Sequence, residues 1–178
     1  MMPTVAQQLA GIRNTMTKVV IPGMDPSDRF AQEQAGLIVA TLNWILDVQG
    51  SEYTYEAVEN AQCRAALSAL ADIEVSPENA QRTTALRSAA QSPGAAPADL
   101  PTLDALRAQN RQFKALLDEH YAALAAADDP AVHEARDILL GVARQLARRD
   151  QSWFRMTGFP KEVEGDIATV LASQGAGS

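Results

Sequence analysis

Two histidines, one cysteine and a handful of polar residues at apolar spacing are what this sequence offers to chemistry. His133 and Asp137 stand four apart, the spacing at which two side chains of one helix converge on an ion, but two ligands alone do not complete a structural or catalytic metal site. Di-metal sites inside helical bundles use Glu-x-x-His pairs, and that pattern fails at both histidines because Leu117 and Pro130 occupy the position three before them. No metal and no cofactor is therefore expected, and elemental analysis of the purified protein is expected to find no stoichiometric zinc, iron or manganese. Nucleophile motifs, phosphate-cradling glycine loops and cysteine pairs are absent from the sequence, which leans away from an enzyme without excluding one. Cys63 has no second cysteine to pair with, and it stands where a small apolar residue would serve equally well.

The polar residues of most interest interrupt apolar patterns. Leu103, Leu106, Asn110, Phe113, Leu117, His120 and Leu124 alternate spacings of three and four, which puts all seven on one stripe of a helix. Asn110 reads as a register-fixing polar residue in that stripe, and His120 as a buried, neutral imidazole. A second seam, Val132, Ala135, Leu139, Val142, Leu146, Arg149, Trp153 and Met156, places an arginine where an apolar residue belongs. A buried guanidinium needs a partner. Asp47, on the most apolar helix of the chain, is the expected one; an anion-binding role for Arg149 is the alternative. Asn43 shares the polar end of the helix that carries Asp47. Asn43, Asp47, Asn110, His120 and Arg149 are thus the candidate residues of a polar interhelical pocket for an anionic or acyl-type small molecule.

These residues must be positioned by helices. The spacing predicts a first helix over Thr4 to Val20, with Val5, Leu9, Ile12, Met16 and Val19 as its packing seam and Ile21-Pro22-Gly23 as its stop. Asp25-Pro26 is expected to cap and start a second helix reaching Val48, whose Leu37, Ile38, Val39, Leu42, Trp44, Ile45 and Leu46 predict burial on more than one side. A third helix is expected from Thr54 to Ile73 with Glu52, Glu56 and Glu59 presented near its start, and a weaker surface helix from Pro77 to Ala90. The seams above give two more, over about Thr102 to Ala127 and, started by Asp129-Pro130, on to Thr157, which the short Asp128-Asp129 junction makes antiparallel neighbours. A short amphipathic piece with Val163, Ile167 and Val170 follows. The fold class is all-α, an antiparallel helical bundle of four to five long helices plus short peripheral ones. One domain is expected over residues 1–174, with a Pro/Gly/Ala-rich linker at 91–99 and a flexible tail at 175–178.

Charge narrows the partners. The net charge of −7 argues against nucleic acid and against an anionic membrane surface, both of which need a concentrated basic face. Seven acids lie between Asp47 and Glu78 against Arg64 alone, whereas Arg136, Arg144, Arg148, Arg149, Arg155 and Lys161 face only Asp137 and Asp150 in the stretch they share. The two stretches are expected to complement each other in the fold; docking of an acidic or phosphorylated partner on the basic face is the alternative.

The pattern VAQQLAGIRNTMTKVVIPG followed by RFAQEQAGLIVATLNWIL, between Thr4 and Leu46, resembles the start of uncharacterised small helical bacterial proteins found alongside aminoglycoside-phosphotransferase-like kinases and acyl-CoA dehydrogenases. That resemblance implies an accessory role near acyl-CoA or phosphorylated-substrate metabolism and carries over no catalytic residue. The expected function is a non-catalytic helical accessory or protein-interaction module, cytoplasmic and bacterial, that self-associates or binds another protein. A small-molecule-binding protein or enzyme is the alternative.

Overall fold

The computed structural model describes residues 2–92, 100–158, 160, 163 and 165–175. Among these residues the chain is all-α, with no strand: α1 (Val5–Thr15), a single turn α2 (Ile21–Gly23), α3 (Arg29–Val48), α4 (Glu52–Asp72), α5 (Ala80–Gln91), α6 (Leu103–Ala126), α7 (Val132–Trp153) and α8 (Ile167–Gly175). Four of them, α3, α4, α6 and α7, run 20 to 24 residues. None of the described helices is long and apolar enough to cross a membrane. The linker expected at 91–99 lies outside the described residues from position 93 onward, as do Lys161 of the basic stretch and the tail beyond Gly175. The chain clusters into two compact units, Met1–Glu52 with Arg149–Val170 and Tyr53–Arg148 with Leu171–Ser178.

In the first unit, Thr4 and Gln7 close a capping box that starts α1: the Gln7 N–H donates to Thr4 Oγ1 at 3.2 Å and the Thr4 N–H to Gln7 Oε1 at 2.9 Å. The helix does not stop at Val20. It widens into a π turn at Met16–Val20 and continues to Gly23. A proline ring inside a regular helix clashes with the carbonyl four residues earlier, and the wider turn ahead of Pro22 is where such a clash is relieved. Asp28, not Asp25, caps α3, accepting the Ala31 N–H at 2.9 Å, while Asp25 closes a turn by accepting from the N–H and hydroxyl of Ser27. α1 and α3 then pack as a hairpin, with Arg13 Nη1 donating to Asn43 Oδ1 at 3.3 Å. The last turns of α3 are pinned by the 3-10 turn Arg155–Thr157 and the residues before it. Trp44 stacks on Phe154 with ring centroids 5.9 Å apart and donates its indole N–H to the Trp153 carbonyl at 2.9 Å.

Two expectations are corrected here. α3 is buried or half-buried all round only from Leu42 to Val48, and in its first half, where Ala35 alone is buried, Leu37 and Ile38 are about half exposed. The α1 seam buries no residue at all. A two-helix hairpin has room for one inner face per helix, so the remaining apolar rows point outward.

The second unit holds one contiguous core. Cys63, Ala66, Leu67 and Leu70 of α4, Leu86 of α5, Phe113, Leu117 and Leu124 of α6 and Ala135 of α7 form it, with Ile138, Leu139 and Val142 packed against it. The α6 seam is buried as its spacing required, from Leu106 through Asn110, Phe113, Leu117 and His120 to Leu124. The acids at the start of α4 are not presented to water as expected. Arg107 pairs with Glu56 at 3.3 Å and Lys114 with the buried Glu59 at 3.1 Å, so α6 supplies counter-charges to this end of α4.

Candidate functional site

The most prominent surface feature of the first unit is apolar and built at heptad spacing. Along α1, Val5, Ile12 and Val19 recur every seven residues and are 69, 52 and 65 % exposed; along α3, Phe30 and Leu37 repeat the interval at 72 and 56 %. Single exposed apolar residues need no explanation, but heptad-spaced rows on two adjacent helices do. Around Leu37 the surroundings are uncharged along the chain, since no ionisable residue occurs from Gly36 to Leu46. A groove of about 480 Å³ runs beside the α1 row, lined by Gln8, Gly11, Ile12, Thr15 and Met16. A Cβ added to Gly11 or to Gly36 would meet nothing within 4 Å, so both glycines lie open at the surface of these helices. Ridges of a neighbouring helix seat in grooves such as the one beside the α1 row.

Of the five polar candidates, Asn43, Asp47 and Arg149 belong to the first unit and Asn110 and His120 to the second. Asn110 and His120 are themselves ten residues apart on α6, about 15 Å along its axis. Arg149 is 1 % exposed, as the seam required, yet its expected partner is engaged elsewhere. The Asp47 carboxylate takes both arms of Arg155, with Nε donating to Oδ2 at 2.8 Å and Nη2 to Oδ1. The reason is local: α7 ends at Trp153 instead of running on to Thr157, and the tighter turn swings Arg155 onto α3. Asp47→Ala is therefore expected to cost about 1–2 kcal/mol, the range of a charge-assisted bidentate contact that water still reaches, and not the larger cost of orphaning a fully buried arginine. Chemical denaturation of the variant measures this, and Arg155→Met is expected to cost a similar amount.

Asn110 is the centre of a buried polar ladder between α4 and α6. Its Nδ2 donates to the Glu56 carbonyl at 3.0 Å and to Glu56 Oε2 at 2.8 Å, and its Oδ1 accepts from Asn60 Nδ2 at 2.8 Å. Asn60 in turn accepts from Arg64 Nε at 2.9 Å, and Arg64 donates to the Ala90 and Ser92 carbonyls at the end of α5 while lying 5.0 Å over the Phe113 ring. Sequence reasoning missed this ladder, though its signal was present. Arg107, Asn110 and Lys114 repeat the three-four spacing on α6, and Glu56 and Glu59 stand three apart on α4.

Asp129 was legible only as a helix start. It is 3 % exposed and joins distant segments: Oδ2 accepts the Ser76 N–H at 3.0 Å, the Ser76 hydroxyl at 2.8 Å and Asn79 Nδ2 at 3.0 Å, and Oδ1 accepts the Ala131 N–H at 3.0 Å. These donors hold its carboxyl well below the usual carboxylate range, the backbone N–H groups of Ala131 and Ser76 most strongly. His120, 2 % exposed, is pushed the other way for a base: burial lowers its pKa, the Arg82 guanidinium adds to the effect, and the Asp129 charge opposes it.

Both shifts make the fold acid-sensitive, in separate windows. For His120 the unfolded state binds the proton more readily, so stability is full above about pH 6.5 and falls as pH drops toward the folded-state pKa. For Asp129 the contribution is full above about pH 4 and is lost only at lower pH. Melting temperatures measured from pH 8 to 3 are expected to fall in two stages, with His120→Phe flattening the upper stage and Asp129→Asn the lower. An upper stage unchanged by His120→Phe would refute the assignment.

No metal cluster of three or more His, Cys, Asp or Glu side chains occurs among the described residues, and Asp137 is turned to Arg136 at 3.2 Å. A groove of about 560 Å³ also opens where Ala61, Ala65 and Ala69 of α4 face Gly141 of α7, the imprint of small side chains. Comparison with protein-family models, with curated proteins and with solved structures finds no match to this chain.

Proposed function

We propose that the protein is a non-catalytic helical interaction module that associates with a second copy of itself through the α1–α3 face. The observation that carries this reading is the pair of outward, heptad-spaced apolar rows on two adjacent helices. A second copy is the fitting occupant because two such hairpins, related by a two-fold axis, pair like with like and close into a four-helix bundle, the arrangement that this spacing favours. At roughly 1 kcal/mol for each half-exposed side chain removed from water, the two copies together gain on the order of 10 kcal/mol, comparable with the cost of association. A micromolar dimer, about 8 kcal/mol net, is proposed, and it requires the half-exposed neighbours of these rows to be buried with them and add a comparable gain.

The segment Thr4–Leu46 that forms the hairpin also carries the resemblance to accessory bacterial proteins, and a cytoplasmic accessory role beside acyl-CoA or phosphorylated-substrate enzymes is part of the proposal. The one cysteine is a buried free thiol, which suits a reducing compartment. Hydrogen exchange followed by mass spectrometry over a range of protein concentrations tests the interface. Amides of α1 and α3 are expected to gain protection as concentration rises while those of α5 and α6 do not; protection independent of concentration throughout would overturn the proposal.

A further inference from the structure

Both ring nitrogens of His120 are buried without a hydrogen-bond partner, and a buried polar group in that state destabilises the fold unless something fills the space beside it. The space exists. A cavity of about 90 Å³ lies between α5 and α6, with His120 and Leu86 buried at its floor, Leu116 half-buried in its wall, and Arg82, Ala85 and Glu119 exposed at its mouth. Arg82 and Glu119 carry opposite charges at one opening, yet no ion pair joins them among the described residues.

We propose that this cavity binds a short monocarboxylate of about two to four carbons, its carboxylate between Arg82 and a ring N–H of His120 and its alkyl end against Leu86, Leu116 and Ala85. The volume equals that of about three waters of liquid, which excludes nucleotides, sugar phosphates and thioesters of large carriers. Glu119 at the mouth disfavours a second negative charge on the ligand, and the leucines favour an alkyl body over a polar one. The imidazole, held neutral by burial, has one N–H to donate. An anion beside it stabilises the protonated ring, so binding and protonation of His120 are linked.

Propionate titrated into the full-length protein, with the histidine ring signals followed by NMR, tests this site. Saturation is expected with a Kd between about 10 µM and 1 mM, the range open to so small a molecule. The His120 pKa is expected to rise by about one unit in the complex, while exposed His133 does not move. Propionamide, which keeps the shape and loses the charge, is expected to bind at least about tenfold more weakly. Arg82→Gln, at an exposed position, should weaken propionate by a similar factor without changing the melting temperature, and Ala85→Leu should close the mouth and abolish binding. No saturation by about 20 mM propionate, equal binding of propionamide, or binding that survives Ala85→Leu would each overturn the proposal.

Discussion

Ile12→Glu combined with Leu37→Glu is expected to turn the protein into a monomer at every accessible concentration. Each copy then carries two carboxylates into the proposed interface, and a charge taken out of water without a partner costs several kcal/mol. Even about 3 kcal/mol weakens association by more than a hundredfold, which moves a micromolar dimer beyond practical concentrations. The same residues are 52 and 56 % exposed within a single copy, so the fold of each copy should change by no more than about 0.5 kcal/mol, as for ordinary surface substitutions. Loss of mass with retained helicity is therefore the expected combination, read by light scattering and circular dichroism on one sample. A double variant with unchanged mass would show that the rows are not the contact.

Asn110→Ala is expected to destabilise the second unit by about 2–4 kcal/mol. The side chain satisfies three groups at once: the Glu56 carbonyl, the Glu56 carboxylate and the Asn60 amide. Truncation removes a partner from each in a place that is 1 % exposed; Glu56 keeps Arg107 at 3.3 Å and Asn60 Nδ2 keeps Gln109 Oε1 at 2.9 Å, so the loss is that of three buried bonds, the one to the carboxylate being the largest. Pairing Asn110→Ala with Glu56→Ala should recover part of the loss, because the carboxylate that needed a donor is gone. Denaturant unfolding of the two single variants and the double variant measures the coupling. Additive losses would mean that the ladder is not a unit.

What the sequence made legible follows from periodicity. A run of three-four spacings fixes which face of a helix is apolar, and for α6 that face is buried from Leu106 to Leu124, with its two polar members inside. Periodicity does not say what covers a face. The rows on α1 and α3 obey the same rule as the α6 stripe and lie exposed. Arg149 shows the limit for single residues: its burial follows from the seam, but the partner of Asp47 depends on α7 ending at Trp153, four residues short of the expected end at Thr157. Asp129 shows it for long-range contacts, since Ser76 and Asn79 lie 53 and 50 residues away along the chain and no local pattern joins them. Asn110 and His120 show it for residues of one seam, since both are buried on the same face of α6 yet stand ten residues apart, and a shared face does not make two side chains meet.

Sedimentation equilibrium of the unaltered protein, from about 1 to 200 µM to span the proposed micromolar affinity, tests self-association most directly. A monomer of 19.1 kDa giving way to a species of twice that mass as concentration rises, with the transition abolished by Ile12→Glu and Leu37→Glu, is the expected result. A single species at the monomer mass across the whole range would contradict it.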